Sequence, residues 1–360
     1  MRIAAARVVP VRLRFARPVA TARGEFRERE SVLVELRSDD GSRGWGEAAP
    51  WPGFRTEPVE TALARLHALA AACVGADLEP GEGGSALLRG LEDAPAARAA
   101  LEGALWDLAA RRAGRPLAHH LAERLGPMPG APLRRVPVSA LLVEREPAAL
   151  RAEAGRARAA GHLAVKLKLG TGALAADLAR ARAVREALGP DLLLRGDANG
   201  AWTRAAAREA LAALAECHFE YVEQPLAADD VEGLAELRRC GSVRIAADES
   251  VATTQDALRL LEAAAVDVLV LKPATLGGPA AALGIARRAR ETGTGVVFTH
   301  AFESAVGAHH TLHCAAAWGD AAAVHGLVTA GIFASDVAGQ VAARDGFAEV
   351  ASAAGLGIDA

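Results

Sequence analysis

Leu163-Ala164-Val165-Lys166-Leu167-Lys168-Leu169 is an apolar run interrupted at alternate positions by lysine. A strand sends alternate side chains to one face, so this run reads as a buried strand that carries both ammonium groups on the same side. The same plan recurs downstream. Leu192–Asp197 ends in Arg195-Gly196-Asp197 and continues to Asn199, Phe219–Glu223 leads into Gln224-Pro225, Val243–Asp248 into Glu249-Ser250, and Val266–Lys272 into Pro273. Lys168, Asp197, Glu223, Asp248 and Lys272 follow one another at intervals of 29, 26, 25 and 24 residues, one β/α unit per step. With Val136–Val143, Gly295–Thr299 and Ala323–Leu327 there are eight strand candidates, nearly all separated by a helix-length stretch. That rhythm predicts an α/β protein with a TIM-like (β/α)8 barrel, in modified form, over residues 131–329.

The residues before it have a different rhythm. Strand-like runs at Ile3–Phe15 and Ser31–Arg37, a turn at Asp39–Gly41 and a further run at Gly44–Ala48 precede two alanine-rich helical stretches, Glu57–Val74 and Pro95–Leu125. They predict an α+β capping domain over residues 1–130, with Pro127–Pro132 as linker and the tail from about 330 to 360 packing back to complete it.

Composition narrows the function. The chain has 360 residues, 51% of them apolar, and a net charge of −3, so it can bury a large core and shows no basic footprint for nucleic acid. Four cysteines (Cys73, Cys217, Cys240, Cys314) form no C-x-x-C and suit reduced, buried thiols in a cytoplasmic protein. Met1–Phe15 alternates like a strand and lacks the apolar core of a targeting peptide, and no segment has the length and apolarity of a membrane span. A homo-oligomer is compatible with all of this.

Of the 41 basic residues only Lys166, Lys168 and Lys272 are lysine; the rest are arginine. An arginine keeps its proton in a protein, whereas a lysine near other cations can be tuned into a base. All three fall at strand ends, where the active site of such a barrel is built. Asp197, Glu223 and Asp248, converging from adjacent strands without His or Cys, form a hard-oxygen set suited to Mg²⁺, with Mn²⁺ as a substitute. Mutual repulsion of Lys166 and Lys168, with a metal nearby, is expected to lower the ammonium pKa and free one lysine as a base. Lys272 faces them from the sixth strand. A base on one side and a cation on the other suit proton removal α to a metal-bound carboxylate of a small-molecule substrate.

In their order K-x-K, D-x-N, E-Q-P, D-E-S and K-P-x-x-x-G-G, these motifs resemble the muconate-lactonizing subgroup of the enolase superfamily over essentially the whole chain. Gly44-Trp45-Gly46-Glu47-Ala48-Ala49-Pro50-Trp51-Pro52-Gly53-Phe54 and Phe302-Glu303-Ser304-Ala305-Val306-Gly307 resemble the o-succinylbenzoate synthase family in particular. The resemblance implies dehydration of 2-succinyl-6-hydroxy-2,4-cyclohexadiene-1-carboxylate to o-succinylbenzoate in menaquinone biosynthesis. Lys168 would take the α-proton and return it to the departing hydroxyl. Lys272 would stabilise the opposite face, and Lys166 would neutralise the substrate carboxylate. Asn199 and Glu249 would stand behind the metal; Gly277, Gly278, Glu303, Ser304, Phe54 and Arg195 would contact substrate.

N-succinylamino acid racemisation and dipeptide epimerisation use the same opposed lysines and metal, and muconate cycloisomerisation is a third option. The acidic D-x-D that holds a dipeptide amine near the last strand has no counterpart around Ala323–Ala330. A barrel that only binds an acid is disfavoured by the three retained lysines. His300, at the end of the seventh strand, is read as structural or substrate-lining because Lys272 stands where its supporting Asp would be. His309, His310 and His313 are read as interior packing on a helix.

Overall fold

In the computed structural model every residue is described except 22–23, 52 and 81–84. Pro52 of the capping run therefore lies outside the described residues. The chain opens with an antiparallel sheet of β1 (Ile3–Thr21), β2 (Gly24–Ser38) and β3 (Arg43–Ala48), in the order β1-β2-β3. The first two strands run longer than expected. Their register shifts between Arg14 and Val19, around Pro18, which has no N–H to give to the ladder, and pairing then resumes at Val19 with Phe26.

Four helices follow: α1 (Val59–Cys73), α2 (Ser85–Arg89), α3 (Pro95–Arg112) and α4 (Leu117–Arg124). The single helix expected over Pro95–Leu125 is thus two. Gly114 takes a positive φ of 63° and Pro116 cannot continue an intrahelical ladder, so the chain turns between them. Leu36, Leu66, Leu101, Leu105 and Leu108 fill the core between the sheet and α1 and α3. Gly44 and Gly46 are needed for this contact, because a Cβ on either would drive into the Ala104 or Ala100 carbonyl of α3.

Next come β4 (Arg135–Pro137), β5 (Ala140–Leu141), α5 (Pro147–Ala159), β6 (Ala164–Lys168), α6 (Leu174–Leu188), β7 (Leu193–Asp197), α7 (Arg204–Leu214), β8 (Phe219–Glu223), α8 (Val231–Cys240), β9 (Ile245–Ala247), α9 (Thr254–Glu262), β10 (Val268–Leu271), α10 (Pro279–Glu291), β11 (Gly295–Phe298) and α11 (Ala305–Trp318). Strands β5 to β11 form one parallel sheet in sequence order, each joined to the next through a helix. Helix starts are set by side-chain caps: Thr203, Asp230, Thr253 and Ser304 each accept a backbone N–H of the first turn.

Two expected strands differ. The run Val136–Val143 divides: β5 joins the barrel beside β6, while β4, ending in Pro137, pairs antiparallel with β13 (Phe347–Glu349), itself paired with β12 (Ala343–Arg344). The run Ala323–Leu327 forms no ladder and contributes two parallel bridges, Val138 with His325 and Thr299 with Gly326. These join the seventh strand to the first and complete the circuit. Inside it Tyr221, Ala246, Val268, Val270 and Val297 form an apolar plug.

The tail touches the N-terminal half at two places. Phe333 stacks on Phe15 of β1 with ring centres 5.0 Å apart, and the Leu356 N–H donates to Asp107 of α3 at 2.7 Å. All four cysteines are free; Cys240, the last residue of α8, is exposed rather than buried as expected. Among the described residues no helix is long and apolar enough to cross a membrane.

Candidate active site

Strands β6 to β10 deliver their polar ends to one mouth of the barrel. The parallel register sets Lys166 beside Arg195, Lys168 beside Asp197, and Asp197 beside Glu223. Lys166 Nζ lies 3.1 Å from Asp197 Oδ2 and 3.0 Å from Glu223 Oε1. Lys168 Nζ donates to Asp197 Oδ2 at 2.7 Å and to Asn199 Oδ1 at 2.6 Å, and Asn199 Nδ2 donates to Glu249 Oε1 at 2.9 Å. Lys272 pairs with Asp248, and its ammonium lies 4.4 Å from the centre of the Phe54 ring. Since β6 is the second strand of the circuit and β10 the sixth, Lys168 and Lys272 enter from opposite sides, with the carboxylates of β7, β8 and the end of β9 between them.

The backbone is shaped for this. Asn199 and Gln224 have φ of 43°, in the left-handed region, immediately past the strand ends. Gln224 Oε1 accepts the N–H groups of Asp248 and Ser250, each at 3.1 Å, and its Nε2 donates to Ser250 Oγ at 2.8 Å. Gln224 thus fixes the loop that presents Asp248, a role beyond those assigned from sequence even though it sits inside the E-Q-P motif.

Burial dominates the electrostatics. It raises Glu223 to about 7, against the pull of Lys166 and with the help of Asp197 and Asp248. It also raises Asp248, against Lys272. Asp197 departs from this: burial would raise it, but Lys166 and Lys168 hold it below the usual carboxylate range. The expected lowering does not hold for Lys166. Burial favours it, but Asp197, Glu223 and Asp248 together outweigh burial and keep the ammonium well above its ordinary value.

As the side chains stand, no three His, Cys, Asp or Glu groups among the described residues form a ready metal cage. Each of the three carboxylates is turned onto a lysine instead. The donor set nevertheless fits a hard divalent cation. Four carboxylates, counting Glu249, share the mouth with three ammonium groups, no His or Cys takes part, and Glu249 Oε2 is buried without a partner.

Several expected substrate contacts are used otherwise. Arg195 is 2% exposed, pairs with Glu220 at 2.6 Å and donates to the Val324 carbonyl at 2.8 Å, one layer below the mouth. Ser304 is wholly buried as the cap of α11, and its Oγ donates to Glu47 Oε2 at 2.6 Å. Glu303 is also fully buried and accepts the Ala301 N–H at 2.8 Å; burial and neighbouring Glu47 raise it to about 7. A Cβ on Gly277 would meet Arg98 at 3.2 Å and one on Gly278 would meet Glu102 at 2.7 Å, so α3 fills that face of both. Of the six, Phe54 has its ring against the ammonium of a site lysine. His300 is half-buried and lowered to about 4, desolvation leading with Lys272 and Lys166 adding to it. His309, His310 and His313 each bond a backbone group: Gly339 O, Trp45 O, and both Ala118 N and Leu356 O.

Sequence reasoning missed Arg29 and the partners of Glu47. Glu47 accepts from Ser304 N at 3.0 Å and from Gly307 N at 2.9 Å, tying β3 to α11. The run around Glu47 stood out in the sequence, but the donors it serves, like most acceptors of Arg29, are remote in the chain.

Strand-end lysines facing each other across a carboxylate cluster, under a cap supplied by an N-terminal sheet domain, define a barrel enzyme of two-part construction. Residues 149–360 match the family described as Enolase C-terminal domain-like, and residues 3–121 match the Mandelate racemase / muconate lactonizing enzyme, N-terminal domain. The chain belongs to the enolase superfamily of enzymes. A hydrophobic dipeptide epimerase of Enterococcus faecalis (strain ATCC 700802 / V583) is 32% identical over 361 residues, covering 99% of both chains. An o-succinylbenzoate synthase of Mycobacterium bovis (strain BCG / Pasteur 1173P2) is 44% identical over 222 residues, which span 60% of this chain and 64% of that one. The crystal structure of the dipeptide epimerase from Enterococcus faecalis V583, complexed with Mg and the dipeptide L-Leu-L-Tyr, superposes with a TM-score of 0.90 at 31% identity over 100% of both chains.

Proposed function

We propose that this enzyme removes the proton α to the carboxylate of a small-molecule substrate and that the reaction is the dehydration of 2-succinyl-6-hydroxy-2,4-cyclohexadiene-1-carboxylate to o-succinylbenzoate, a lyase step of menaquinone biosynthesis in the cytoplasm. The observation that carries the reading is the opposition of Lys168 and Lys272 across Asp197, Glu223 and Asp248. These three carboxylates would hold Mg²⁺. Bound there, the metal supplies Lewis-acid stabilisation of negative charge developing on the substrate carboxylate. Lys168 takes the α-proton; the C–O bond on the same face then breaks, and Lys168 returns the proton to the departing hydroxyl as water. Lys272 places its positive charge on the opposite face, steadied by Phe54. Lys166 offsets the charge of Asp197 and Glu223, and Asn199 holds Lys168 in line. The 44% identity to a synthase supports this choice, as does the lack of an acidic pair around residues 323–330 to hold a substrate amine.

The full-length similarity to a dipeptide epimerase favours a second reading, inversion at the α-carbon of a dipeptide or N-succinylamino acid, with Lys168 and Lys272 as base and acid on opposite faces. One assay separates them: loss of the diene absorbance by purified enzyme with Mg²⁺, beside an EDTA control and Lys168→Ala. Metal-dependent loss that vanishes in the variant supports the synthase. No turnover by folded, Mg²⁺-loaded enzyme rejects it, and solvent deuterium entering the α-position of dipeptides or N-succinylamino acids in D₂O then supports the inversion.

A further inference from the structure

Arg29, on β2, is 5% exposed and directs its guanidinium at main-chain carbonyls. Its Nε donates to Phe302 O at 3.0 Å; Nη1 donates to Pro50 O at 2.6 Å and Glu30 O at 3.1 Å; Nη2 donates to Ala49 O at 2.7 Å and Ala301 O at 3.5 Å. A guanidinium has five N–H groups, and here each has an acceptor. The planar fork therefore ties three pieces of chain at once: its own strand, the segment entering Trp51–Phe54, and the loop after β11.

Trp51 and Phe54 belong to one turn. The Phe54 N–H donates to Trp51 O at 3.3 Å, and the Trp51 N–H donates to Thr56 Oγ1 at 2.9 Å. The guanidinium carbon lies 4.9 Å from the Trp51 ring centre, and Trp51 packs on Phe302 with ring centres 5.3 Å apart. Trp51, Phe54 and Ala301 form one buried cluster. What Arg29 fixes is thus the position of this turn relative to the barrel mouth, and the turn carries the ring that covers Lys272.

We infer that Arg29 is a positioning residue for Lys272, clamping Ala49–Trp51, and through Trp51 the turn at Phe54, to the loop Ala301–Phe302 so that Phe54 stays seated on the ammonium. This rests on the proposed role of Lys272 but concerns a residue that touches neither substrate nor lysine. Arg29→Lys keeps the charge facing Glu47 and Glu303 but cannot span both segments; Arg29→Met removes charge and donors alike.

The scarcity of lysine supplies a readout independent of activity. Wild type, Arg29→Lys, Arg29→Met and Phe54→Leu are pulsed with acetic anhydride below their melting temperatures, and acetylation of each lysine peptide is quantified. Loss of the clamp is expected to raise labelling of Lys272 relative to Lys166 roughly threefold or more, as opening of a locally held cover does, whereas global unfolding exposes both alike. In the dehydration assay kcat should fall about tenfold with little change in KM, since misplacement rather than lost binding is the cause. Arg29→Lys/Phe54→Leu should be no slower than Phe54→Leu, because the first residue acts through the second. Wild-type labelling ratios in both Arg29 variants, or kcat losses that multiply, would overturn the inference. If wild type turns over no substrate, the reaction reading fails, and the labelling ratios still decide for or against the clamp.

Discussion

Asn199 accepts a hydrogen bond from Lys168 Nζ at 2.6 Å while its own amide donates to Glu249, so a single side chain sets the distance between the proposed base and a half-buried acid. Asn199→Leu keeps the volume and removes both bonds. It should lower kcat by about 10- to 100-fold, in the range expected when a proton-transfer group loses its alignment. The rate of loss of the diene absorbance measures it. An unchanged rate would mean that Asp197 alone aligns Lys168.

Mg²⁺ should stabilise the fold through Asp197, Glu223 and Asp248. At about 100 times its dissociation constant a ligand adds about 2.7 kcal/mol, which appears as a higher Tm. Calorimetry with and without EDTA should show this rise in wild type and not in Asp197→Ala or Asp248→Ala. A rise that survives both substitutions would place the ion elsewhere.

Glu47 should matter to stability more than its place in a strand suggests. It is 3% exposed and serves three donors of the α11 start, two of them backbone. Glu47→Ala leaves these buried donors without a partner and should cost about 2–5 kcal/mol, with Glu47→Gln costing less. Urea denaturation gives the number.

His313 should make stability fall with acid. Burial leads in lowering it to about 3, and its two ring nitrogens already accept from Ala118 N and donate to Leu356 O, which only the neutral ring can do. In the unfolded chain it titrates near 6.5, so between about 6.5 and 3 the unfolded state binds the extra proton and stability drops as pH falls, by up to about 1.4 kcal/mol per pH unit. Glu102, raised by burial to about 7, contributes the opposite slope. Net curves from urea titrations at several pH values will therefore mix signs, but the difference between wild type and His313→Gln isolates this one proton. Parallel curves would reject it.

The barrel was legible because each strand announces itself twice, by an apolar run and by the polar residue that emerges from it. Lys168, Asp197, Glu223, Asp248 and Lys272 stand where that reading puts them. Arg195 shows its limit: it shares the interior face of β7 with Asp197, two residues apart, and only the packed layers separate the mouth from the plug below. Glu303 and Ser304 show another, since the donors and acceptors they satisfy come from β3 and from their own loop. The break in Pro95–Leu125 was written in Gly114 and Pro116, whereas the weakness of the last strand was not, because Ala323–Leu327 is apolar enough for a ladder.

The ring of strands is fastened at that last run by only a few backbone hydrogen bonds: His325 N to Pro137 O at 2.9 Å, Ser139 N to His325 O at 2.9 Å, Gly326 N to Phe298 O at 3.0 Å and His300 N to Gly326 O at 3.3 Å. Counting around the circuit, the strand farthest from this seam is β8, which bears Glu223. The seam and the strand bearing Glu223 therefore lie at opposite poles of the ring, with four strand-to-strand joints between them on either side, so the closure of the circuit and the spacing of the acids rest on different parts of the wall.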